Sequence, residues 1–68
     1  MHEDILHKGK PYRIISEGLT ILHPDEVIVA IVDISSPGNA KEVHRLTGRS
    51  EKDVYGLTNQ AKKYVDAL

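Results

Sequence analysis

Residues 39–57 read NAKEVHRLTGRSEKDVYGL, and how this stretch is parsed decides the fold. Taken locally, it announces two short helices joined by a tight turn. Asn39 suits an N-cap, and Glu42 stands three residues later, at the spacing in which each side chain bonds the other's backbone N–H. Pro37 and Gly38, just upstream, break whatever precedes them. Ser50 repeats the device with Glu51 and Asp53 in the following turn, where negative charge suits a helix dipole. Between the two starts, Gly48 is placed to take a left-handed position that a side chain would disfavour.

Two helices at this spacing predict helix-turn-helix geometry, in which the second helix can lie in the major groove of DNA. On a 3.6-residue period, Val54, Leu57, Ala61, Tyr64 and Leu68 form one apolar stripe of the last helix, with Val65 beside it. The opposite face carries Lys52, Tyr55, Gly56, Asn59 and Lys63, with Lys62 on its edge. Lys donates to guanine or phosphate, Asn pairs with adenine, and Tyr donates to phosphate. A helical Gly56 costs roughly 1 kcal/mol against Ala and is read as room for close approach to a groove wall. The charge is divided along the chain. Residues 39–63 hold Lys41, Arg45, Arg49, Lys52, Lys62 and Lys63 against Glu42, Glu51 and Asp53, a net of +3, whereas the whole chain is −1. Phosphate attraction follows the local patch rather than the sum.

The pattern Glu42-Val43, Leu46-Thr47-Gly48, Ser50 and Asp53-Val54-Tyr55 resembles bacterial helix-turn-helix domains, in particular the fourth region of sigma factors and small regulators like it. The resemblance covers about 20 residues. It implies a transcription regulator, or a module of one, that binds double-stranded DNA. Arg45, Arg49, Ser50, Lys52, Tyr55, Gly56, Asn59, Lys62 and Lys63 form the expected DNA-binding set, with a homodimer or the transcription machinery as a further partner.

Working outward, Val27 to Val32 is an unbroken apolar run rich in β-branched residues, as a buried strand would be. Against that, His23-Pro24-Asp25-Glu26 looks like a helix entrance, so a helix is preferred over 25–34. Ile15, Leu19 and Leu22 follow helical spacing after Pro11, although Tyr12 to Leu22 also fits a short hairpin. Residues 1–10 read as a flexible arm. The expected fold is therefore all-α, three to four helices over residues 11–68. The alternative is an α+β domain, a structural dimer with a strand at 27–34.

With 68 residues, the chain has room for one thin domain. It has no Cys, which excludes disulfides and thiolate metal sites. No apolar run reaches the roughly 18 residues of a membrane span, and the acidic start is unlike a signal peptide. A cytoplasmic location follows as the expectation. His2, His7, His23 and His44 lack paired ligand spacing, the serines lack a nucleophile elbow, and the glycines form no phosphate loop. No cofactor, metal or enzymatic activity is expected. The rival reading is a protein-interaction or dimerisation module that does not bind DNA.

Overall fold

The computed structural model describes residues 2–19, 21 and 24–68. Four strands, β1 (His2–His7), β2 (Lys10–Glu17), β3 (Val27–Asp33) and β4 (Lys41–Gly48), precede one helix, α1 (Asp53–Asp66). All neighbours are antiparallel, in the spatial order β1-β2-β3-β4, a simple meander. The helix lies across one face of this sheet. The fold is thus α+β, and the all-α helix-turn-helix bundle expected above is corrected: the first motif helix is strand β4, and the helix preferred over 25–34 is strand β3. The residues expected as a loose arm form β1, and those at 10–17 form β2 rather than a helix. His23 and Leu22 lie outside the described residues.

The turns explain much of this. Lys8 and Gly9 both have positive φ (52° and 77°), the conformation of a two-residue hairpin whose twist matches its strands. Ser36-Pro37-Gly38-Asn39 closes with Asn39 N–H donating to the Ser36 carbonyl at 3.1 Å, and Gly38 takes φ 73°. That is Pro then Gly at the two central positions of a type II turn. Asn39 therefore ends a turn, and its backbone N–H is spent there rather than in a helix cap. Asp33 organises the start of the same connection, its carboxylate accepting from the Ser35 N–H (2.9 Å) and hydroxyl (2.7 Å).

The core lies between sheet and helix. Tyr12, Ile14, Val29 and Ile31 from the sheet meet Ala61 and Val65 from the helix, with Ile5, Leu46 and Leu57 around them. Of the helical stripe read from the sequence, Ala61 is fully buried and Val54 and Leu57 half-buried, whereas Leu68 is exposed and Val65, placed beside the stripe, is fully buried. Tyr64 stays at the rim and stacks flat on His44 of β4, ring centroids 4.4 Å apart. Asp53 turns back to accept the Arg49 and Ser50 N–H groups at 3.0 and 3.1 Å, which fastens the β4–α1 connection to the first turn of the helix. The helix starts there, three residues later than Ser50. At its other end the Leu68 carbonyl accepts from Lys8 Nζ at 2.8 Å and lies 3.2 Å from His7 Nε2, tying the helix terminus to the β1–β2 turn.

Candidate functional site

In an antiparallel sheet, residues directly opposite one another project from the same face. The pairing register therefore maps the face turned away from α1 row by row. One row runs Asp4, Arg13, Val32, Glu42 across β1 to β4. The next, two residues along β1, β2 and β3 and three along β4, runs His2, Ile15, Ala30, Arg45, and a third holds Glu17, Ile28 and Thr47. Ile15, Ile28, Ala30 and Val32 form an apolar centre, all half-buried, with the charges at its borders. They line a shallow depression of about 360 Å³ together with Glu42 and Arg45.

β3 shows the anomaly most clearly. Its burial alternates strictly: Val27, Val29 and Ile31 are fully covered by the helix layer, while Ile28, Ala30 and Val32 face the other way. Strands with one covered face ordinarily alternate apolar with polar, and an unbroken apolar run belongs to a strand covered on both sides. β3 is built for two covered faces, and among the described residues only one is covered.

The border is ordered by ion pairs. Arg13 Nε and Asp4 Oδ1 are 2.8 Å apart, with a second contact at 3.2 Å, and this guanidinium holds the Asp4 carboxyl below its usual range. Arg45 Nε and Glu42 Oε1 are 2.8 Å apart, which raises the Arg45 pKa. Residues three apart in a regular strand point to opposite faces. The register shift between Ile31 and Val32 leaves Val43 as an extra residue on β4, and this bulge brings Glu42 and Arg45 onto one face.

The expected DNA-binding residues do not form one surface. Tyr55, Gly56, Asn59 and Lys63 share the outer stripe of α1, where Tyr55 is 79% exposed, and Lys52 lies at its N-cap. Arg45 lies on the opposite side of the molecule, on the sheet face away from the helix. Lys62 is held at 2.9 Å by Glu3 of β1. Arg49 and Ser50 lie in the β4–α1 connection, with their N–H groups on Asp53. Gly56 has open space around it, so no close approach among the described residues requires it. Glu51 and Asp66 dilute the remaining charge. Sequence reasoning missed the apolar centre of the sheet, although its signal was present in the six unbroken apolar residues 27–32.

A second, open cleft of about 640 Å³ lies between β1, β2 and the first turns of α1, floored by Ile14 and Val54 and flanked by Glu3, Glu51 and Tyr55. Among the described residues, no group of three or more His, Asp or Glu is placed to hold a metal ion. No helix there is long and apolar enough to cross a membrane. Comparison of the chain with protein-family models, curated proteins and solved structures finds no match.

Proposed function

We propose that this chain is a protein-association module whose working surface is the sheet face turned away from α1. A single observation carries the reading: β3 is apolar on both sides, and Ile28, Ala30 and Val32 have no covering layer among the described residues. An apolar centre with a charged border is the anatomy of a protein-binding patch. The groove-reading alternative has weaker support, because the helix that would enter DNA has a strand rather than a helix before it and the cations are split between two sides of the molecule.

The test is the paired variant Ile28→Thr with Val32→Thr, which keeps β-branched side chains but makes the face polar. These half-buried side chains touch their strand neighbours, but among the described residues no second layer packs on them. The variant should therefore melt within about 5 °C of the parent in dilute solution, roughly 1 kcal/mol for a domain this small. It should also lose binding of an apolar fluorescent dye that the parent binds. A variant that fails to fold would make this face part of the core, and unchanged dye binding would move the apolar surface elsewhere. Either result overturns the proposal.

A further inference from the structure

We infer that the partner on this face is a second copy of the chain, seated face to face about a two-fold axis that runs across the strands between the Asp4–Arg13–Val32–Glu42 row and the His2–Ile15–Ala30–Arg45 row. The inference rests on the association reading above and names its partner.

Charge register selects this arrangement. A two-fold interface places the same patch on both copies, so the patch must complement itself. Two in-plane axes are available for stacked sheets. The axis across the strands lays each row over the other row of the partner. Glu42 then meets the partner's Arg45 position and Arg45 the partner's Glu42 position, at one border. At the other border Asp4 meets His2. In the centre Val32 lies over Ala30, and Ile15 over the aliphatic stem of Arg13. The axis parallel to the strands instead reverses the strand order within each row. It sets Asp4 over Glu42, carboxylate against carboxylate, and Val32 over Arg13. Like-charge juxtaposition is what excludes wrong partners and registers. The first packing matches Glu42 with Arg45 at both of their positions and sets Asp4 against His2, whereas the second sets Asp4 against Glu42.

The Val43 bulge gains a purpose here. It brings Glu42 and Arg45 to one face as an intramolecular pair, and two such pairs exchange partners on stacking without leaving a charge unmatched. Size sets the strength of the contact. Strands about 4.8 Å apart and residues about 3.4 Å apart give roughly 400 Å² of projected face per copy. Counted over both copies that is about 800 Å², below the roughly 1,000 Å² of a stable interface, which limits the contact to a weak, reversible dimer. The molecule is only 16 Å through its thinnest direction, so a second layer of sheet about 10 Å away would double a thin core.

Sedimentation equilibrium at tens to hundreds of micromolar tests this, with folding checked by circular dichroism. The parent should dimerise. Glu42→Arg alone places cation against cation, and Arg45→Glu alone places anion against anion, so each should weaken dimerisation about tenfold or more. Mixing these two single variants should restore dimers, because a Glu42→Arg copy offers two cations to the two anions of an Arg45→Glu copy. Intramolecular pairing cannot produce that rescue. A parent that stays monomeric overturns the inference, and retained dye binding on the face would then leave the association reading standing with another partner. A dimer indifferent to both reversals, or no rescue on mixing, overturns this packing.

Discussion

Asp33 shows how a single carboxylate can stabilise the end of a strand. The Ser35 hydroxyl and N–H donate to it, and Lys10 Nζ sits 2.9 Å away, so its pKa falls from 3.8 to about 2. A depressed folded-state pKa adds stability that is complete above the unfolded value and is lost as pH falls through the folded one. The window is therefore between about pH 4 and pH 2. Asp33→Asn should melt lower than the parent near neutrality, and the gap should close as pH falls across that window. Thermal melts at several pH values check this, and a gap that stays constant would assign the stability to other groups. Gly56 is different in kind. Among the described residues nothing lies within 4 Å of where its Cβ would be, so none of them gives its mid-helix position a packing reason.

The close approach of β4 to α1 sets the geometry at the scale of elements. Gly48 ends β4 where a Cβ would come within 2.8 Å of Asp53 Cβ and 3.0 Å of Leu57 Cδ1. Gly48→Ala should cost about 1–3 kcal/mol, the usual toll of overpacking a tight contact, measured by denaturant unfolding. A neutral substitution would mean that the helix slides freely over the strand end. The residue was singled out from the sequence, yet for the wrong reason. Its φ is not left-handed, and it is small because the helix crosses there. The same holds along 39–57. Cap residues are short-range signals, and Asn39 and Glu42 carry them, but their groups are taken by a type II turn and by Arg45. The helix at 53–66, with its buried stripe and exposed Tyr55 and Asn59, was legible because its 3.6-residue period runs through it with no competing pairing. β3 was half legible: its β-branched run pointed to a strand, and Pro24-Asp25-Glu26 pointed to a helix. β2 and β4 owe their state to pairing with β3, a long-range effect that no local window contains.

At the scale of the whole molecule, the described residues form two layers with one core and one uncovered apolar face. The same register that lines Val27, Val29 and Ile31 under the helix lines Ile28, Ala30 and Val32 outward. The candidate surface therefore could not be seen from the sequence until the strand order and the Val43 bulge placed its rows side by side. Expectations of DNA recognition came from the helix, whereas the unusual surface chemistry is on the other side of the sheet.

The most direct measurement is methyl and amide relaxation in the presence of a soluble paramagnetic agent, recorded over a dilution series up to ~1 mM, where even a contact worth about 4 kcal/mol is half formed. Ile15, Ile28, Ala30 and Val32 should be strongly broadened when dilute and become protected on concentrating, while Tyr55 and Asn59 stay broadened throughout. Protection that appears on the helix instead, or on no surface at any concentration, would contradict a sheet face built to receive a second copy.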